Sequence, residues 1–158
     1  MLLLPYLEQD DVYRAFRRDE PWDSEHNLKL LPRMPATYAA PWTKYVDVPP
    51  GHTVIKVFVG PGAAFEPGKK LNLRSDFPDG TPNTLLVAEA GDPVPWSKPD
   101  DIPFAPDRPI KLRGLFKNGF RAVTADGSGP HMIPHDCDEA ALRAAITRNG
   151  GEKVLLPS

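Results

Sequence analysis

Apolar and polar positions follow one rhythm before about residue 50 and another after it. In the first part, Pro5 and the run from Tyr6 to Phe16 read as a helix, because proline suits a first turn, Asp10 and Asp11 come early and basic residues close the segment. Tyr6, Val12, Tyr13 and Phe16 fall on its apolar stripe. A second helix is expected from Ser24, a good N-cap, through Leu28 and Leu31 until Pro32 stops it. Residues 33–50 hold four more prolines with Tyr38, Trp42 and Tyr45, and read as loop with one short strand at Tyr45-Val46.

Beyond residue 50 the pattern is that of strands. Thr53 to Val59 is β-branched and almost continuously apolar, which predicts a central strand ended by Gly60-Pro61-Gly62. Thr84 to Ala90 is a second strand behind the turn Pro78 to Asn83. Six prolines between Asp92 and Pro109 mark a loop around Trp96. Phe120 to Thr124 is a third strand, and His131-Met132-Ile133 can pair back on it across Ala125-Asp126-Gly127-Ser128. Asp136 or Asp138 then caps a closing helix through Arg148, with Leu142, Ala145 and Ile146 on one face and Asn149-Gly150 ending it. The expectation is an α+β fold with short N-terminal helices, a central antiparallel sheet, a closing C-terminal helix and proline-rich loops.

Length and composition add bounds to this picture. The 158 residues are enough for one domain spanning 1–158 with a core of its own. Proline is in excess, 20 residues, against about 8 at the usual frequency, so elements must be short and loops extended. The net charge of -2, with cations spread along the chain, speaks against nucleic acid as a partner. The single cysteine, Cys137, has no partner for an internal disulfide. Leu2-Leu3-Leu4 is too short to span a bilayer or to form a signal segment, so the chain as it stands reads as soluble, with no membrane contact of its own.

Candidate chemistry is sparse. Asp76, Asp79, Asn83 and Asp126 offer loop oxygens of the kind calcium takes, although their spacing is not that of an EF-hand and Asp-Gly pairs also make ordinary tight turns. No other cofactor is suggested. His131, His135 and Cys137 raise a zinc reading, but Pro134 prevents a shared helical face and a fourth ligand is missing. Glu89, in an apolar strand, calls for an arginine or backbone donors beside it, or for an outward orientation. No nucleophile elbow or phosphate loop occurs. Trp22, Trp42 and Trp96 lie in proline-rich loops, either covering the core or forming an aromatic groove for a peptide, glycan or small solute.

Several blocks, taken in order, resemble a large bacterial family known as a domain of unknown function and abundant in planctomycete-type bacteria. They are Leu4 to Gln9; Asp19 to Ser24 with His26-Asn27; Val59-Gly60-Pro61-Gly62 with Phe65; Asp79-Gly80-Thr81-Pro82-Asn83-Thr84; Val94-Pro95-Trp96; Ala125 to Ser128; and Thr147 to Glu152. That resemblance implies a pseudopilin-like protein. Its members carry a prepilin-type cleavage site and a long apolar N-terminal helix, which anchors a globular head on the periplasmic or extracellular face. It also implies partners among other pilin-like subunits or secretion-system components, and a non-catalytic role in assembling a fibre or secretion-related structure. The present sequence opens just after the place of that helix. It also departs from the family's C-terminal motif, a histidine, nine residues and Asp-Gly, in having Phe116 at the histidine position, and Pro82 replaces a serine upstream. The alternative function is an extracytoplasmic binding module that uses the tryptophan loops; catalysis has the least support.

Overall fold

The computed structural model describes residues 2–39, 47–110, 112, 116–152 and 156. The fold is α+β, a five-stranded sheet with short helices ahead of it and one helix after it. The strands are β1 (His52–Val59), β2 (Leu85–Pro95), β3 (Ile102–Pro103), β4 (Gly119–Thr124) and β5 (His131–Pro134), in the order β3-β1-β2-β4-β5. The expected antiparallel sheet is in fact mixed. β2 and β4 are antiparallel, as are β4 and β5, but β3 lies parallel to β1, with Ile102 opposite Phe58. That strand falls in the segment expected to be loop, and Pro103 is tolerated because β3 is an edge strand, where one donor can be missing without breaking a ladder. β1 is interior, as its apolarity predicts.

The chain divides into two compact units, Met1–Val54 with Asp92–Asp100, and Ile55–Gly91 with Asp101–Ser158. In the first, the predicted helix from Pro5 is broken into a 3-10 turn, Leu4–Leu7, and α1, Asp10–Ala15. The break is at Glu8, which adopts the left-handed conformation (φ 58°), a costly geometry for a residue with a Cβ. As a result Tyr6 is 85% exposed rather than buried, while Leu4, Val12 and Phe16 form the core with Trp96. Ser24 caps α2 (Glu25–Leu28) by accepting from the Asn27 amide. The helix is a single turn, and a separate 3-10 turn, Leu31–Arg33, follows. Asn27 is fully buried and its side-chain amide is saturated: it donates to the Arg17 and Pro21 carbonyls and accepts from the Arg17 N–H. The strand expected at Tyr45-Val46 lies outside the described residues.

In the second unit, Phe58, Leu85, Phe120 and Ile133 from the sheet pack with Leu142, Ala145 and Ile146 of α3 (Glu139–Ile146). Burying Leu142 and Ile146 is worth about 2 kcal/mol each. Asp138 provides the N-cap. The helix stops at Ile146, before the predicted Arg148, because Thr147 turns extended and bridges to Ala63. A smaller cluster of Ala64, Phe77 and Ala125 lies beside Leu71 and Leu86. Among the described residues no helix is long and apolar enough to cross a membrane.

Candidate functional site

The polar features of the second unit collect around the loop that follows β1 and the segment that follows α3. At the end of β1 the chain must turn against β3: a Cβ on Gly60 would sit 1.8 Å from the Phe104 carbonyl oxygen, so only glycine fits. The Gly60 N–H bonds the Phe65 carbonyl at 3.0 Å, closing the loop. Thr147 then delivers Arg148 to it. The Arg148 N–H donates to the Gly62 carbonyl (2.8 Å), its Nη1 to the Ala63 carbonyl (2.9 Å) and its Nη2 to Glu66 Oε2 (2.8 Å). The Arg148 carbonyl in turn accepts from the Asp79 N–H.

Glu66 is held on both oxygens. Oε1 meets Lys69 Nζ at 2.7 Å, and Oε2 takes Arg148 and the Gly62 N–H. Lys69 is the main reason its carboxyl is lowered to about 2, with Arg148 and the Gly62 amide adding to it against partial desolvation. Arg148 is 5% exposed, and its Nε has no hydrogen-bond partner among the described residues. Two open clefts adjoin here. One, of about 310 Å³, is lined by Val59, Ala64, Phe65, Pro67 and Leu71 together with the Glu66–Lys69 ion pair. The other, of about 450 Å³, is polar and lined by Lys69, Lys70, Ser75, Asp76, Arg148 and Asn149. Lys69 and Leu71 belong to both.

The calcium candidates are engaged in internal hydrogen bonds. Asp79 accepts from the Gly150 N–H (2.6 Å) and the Gly151 N–H (3.0 Å) with its two oxygens. Asn83 turns its amide nitrogen to the Asp79 carbonyl, so it presents a donor there. Asp76 accepts from the Asn72 N–H and from Ser75 Oγ. Asp126 accepts from Thr124 Oγ1, the Ser128 N–H and Ser128 Oγ, and these bonds, the threonine first, lower its carboxyl to about 2. Gly127 completes this turn at φ 86°. Among the described residues no three His, Cys, Asp or Glu side chains are grouped to hold a metal ion. His135 Nε2 lies 3.1 Å from the Phe116 carbonyl, and burial, with Asp136 and Asp138 beside it, raises the Cys137 thiol. Glu89 stands opposite Arg121 across β2 and β4, and the Arg121 guanidinium lies over the Phe116 ring, 4.8 Å from its centre.

Of the described tryptophans, one is built into a core. Trp96 is 6% exposed, packed edge-on to Phe16 and stacked on Tyr38, with its indole N–H on the Leu31 carbonyl. It is therefore a core residue of the first unit. Trp22 is half-buried, and Trp42 lies outside the described residues. The pair that sequence reasoning passed over is Glu66 with Arg148. The available signal was a cation directly after the apolar face of the last helix and ahead of Asn149-Gly150-Gly151, a position where a solvated helix end would be the ordinary reading. The chain matches no family model, no curated protein and no solved structure.

Proposed function

We propose that this chain is the globular head of a pseudopilin-like protein, acting in the assembly of a fibre or secretion-related structure on the periplasmic or extracellular face rather than in catalysis. One observation supports this above the others: the blocks on which the resemblance rests hold one another in place. Gly62 receives Arg148, Asp79 receives Gly150 and Gly151, and Thr84 accepts the Ala125 N–H. In the first unit, Asn27 ties down the segment from Arg17 to Pro21 in the same manner. Residues that lock loops to a sheet suit a scaffold whose job is to present a surface. A catalytic centre would instead leave a base, acid or nucleophile poised in a cleft.

The test is cell fractionation with a tag on the C-terminus, in the native host with and without its prepilin peptidase. The expected product is membrane-associated, shortened only when the peptidase is present, and crosslinkable to pilin-like subunits. An unprocessed product confined to the soluble cytoplasm refutes the reading.

A further inference from the structure

We infer that Asn149-Gly150 is a self-modification site, where the chain converts asparagine to isoaspartate without an enzyme, and that Asp79 is the latch that restrains this reaction in the folded state. The chain has two Asn-Gly pairs, Asn118-Gly119 and Asn149-Gly150. In such a pair no Cβ shields the nitrogen that follows the asparagine, so it can reach the side-chain carbonyl carbon. The two pairs differ in what holds them. Gly119 is buried in β4 with its N–H 3.3 Å from the Phe116 carbonyl, and the Asn118 carbonyl accepts from the His135 N–H. The sheet fixes that pair, and Asp79 has no part in it. Asn149 and Gly150 are both exposed, in the segment after α3.

Asp79 grips the main chain on either side of Asn149. Its N–H donates to the Arg148 carbonyl at 3.2 Å, and its carboxylate accepts from the Gly150 N–H at 2.6 Å and the Gly151 N–H at 3.0 Å. Ring closure requires the Gly150 nitrogen to lose its proton and turn toward Asn149 Cγ. The turn breaks the bonds to Asp79, and a nitrogen anion formed there would stand against a carboxylate. Glu152 adds a second acid, since a Cβ on Gly150 would come 2.0 Å from Glu152 Oε2. A carboxylate is too weak a base to take the amide proton itself. The reaction therefore proceeds from molecules in which the segment has opened locally.

In those molecules a base from solvent removes the Gly150 proton and the nitrogen bonds to Asn149 Cγ. The Cγ–Nδ2 bond breaks and ammonia leaves, its added proton supplied by water. Water then opens the imide: cleavage at Cγ gives aspartate, and cleavage at the former main-chain carbonyl gives isoaspartate. No electrons are exchanged. Isoaspartate lengthens the main chain by one methylene between Arg148 and Gly150 and adds a carboxylate to a loop that already holds Asp79 and Glu152. The clip cannot re-form, so a transient opening beside Arg148 becomes permanent.

The experiment incubates the full chain, Asp79→Ala and the acetylated, amidated peptide of residues 147–152 at mildly alkaline pH. Peptide mass spectrometry follows conversion at each asparagine, and enzymatic methylation reports isoaspartate. Asn149 should react at least about tenfold more slowly in the folded chain than in the peptide, and Asp79→Ala should restore about tenfold while Asn118 keeps its rate. The purified isoaspartyl chain should exchange amide hydrogens faster at residues 148–151. Acceleration at Asn118 as well would show that Asp79→Ala loosens the whole chain. Asp79→Glu, which keeps the charge but moves the carboxylate by a methylene, then takes its place, with the same selective gain expected at Asn149. A folded chain as fast as the peptide, or an unchanged rate at Asn149 in the variant that leaves Asn118 alone, overturns the latch. A slower rate there overturns it too and makes Asp79 a base. Unaltered exchange in the isoaspartyl chain overturns the permanent release.

Discussion

Arg148 and Glu66, 82 residues apart in sequence, meet at 2.8 Å with side chains 6% and 15% exposed. A pair so placed draws its importance from the damage done by removing one member, because the other is left desolvated and uncompensated. Arg148→Met keeps most of the volume but strips the Ala63 carbonyl and Glu66 of their donor. It should cost about 2–4 kcal/mol, read as a lower urea midpoint. Arg148→Lys retains the charge but cannot reach both acceptors as a planar fork does, and should fall between the two. An unchanged midpoint in Arg148→Met would mean that the pair holds nothing.

Acid should unfold the protein through two carboxylates. Glu66 and Asp126 are each lowered to about 2 in the folded chain, from ordinary values of 4.5 and 3.8. The unfolded chain therefore binds protons first as pH falls. Their stabilisation is complete above the ordinary values, declines through the interval below, and is lost once pH passes about 2. Urea midpoints measured across that interval should drop steeply, and Glu66→Gln and Asp126→Asn should each flatten the slope. A slope identical in both variants would remove these residues from the account.

Asp79 fastens the segment after α3 by binding two successive N–H groups, those of Gly150 and Gly151. Asp79→Ala should raise hydrogen exchange at these two amides and lower stability by about 1 kcal/mol, the bonds being solvent-accessible. The same geometry bears on calcium. An ion seated at Asp79, Asp76 and Asp126 would have to displace bonds that each already makes. Calcium at about 5 mM should therefore leave the melting temperature in place, and a rise of several degrees would restore the loop-metal reading.

How much of this was legible in the sequence depends on the range of the interaction. Ser24 as a cap, the β4–β5 hairpin and the apolar face of α3 follow from local pattern and appear as expected, and of the two candidate caps, Asp136 and Asp138, the structure uses Asp138. Tyr6 was misplaced because nothing local announces that Glu8 will turn left-handed, and β3 was missed because proline argues against a strand unless the strand is known to be an edge. Asp79 and Asp126 were recognisable as turn formers. That Asp79 serves a segment 71 residues further along was not, since it is fixed only when α3 packs on the sheet.

Gly60 should be the least replaceable of the described glycines of the second unit. The clash of an added Cβ is with backbone of the residue following β3, 1.8 Å from the Phe104 carbonyl oxygen and 2.8 Å from its carbon, and neither can swing away as a side-chain tip would. The Phe104 N–H is meanwhile tied to the Val59 carbonyl at 2.8 Å. Gly60→Ala should cost about 2–4 kcal/mol. Gly68→Ala provides the control: nothing lies within 4 Å of its added Cβ, and only the positive φ of 78° opposes it, a cost of about 1 kcal/mol. Equal losses in the two variants would show that β3 gives way.

Trp96 tests the organisation of the first unit. Its ring meets Phe16 at 5.5 Å and Tyr38 at 5.7 Å between centres, and its N–H reaches the Leu31 carbonyl, so it joins the Leu4–Leu7 turn and α1 cluster to the segment after α2. Trp96→Ala should cost about 3–5 kcal/mol. Trp96→Phe keeps much of the packing and should lose about 1 kcal/mol, close to the worth of the single hydrogen bond. The readout is residue-resolved hydrogen exchange, with protection lost first at the amides of residues 12–16 and 27–38. If Trp96 were instead a ligand-facing ring, Trp96→Ala would leave that protection intact and the midpoint unmoved.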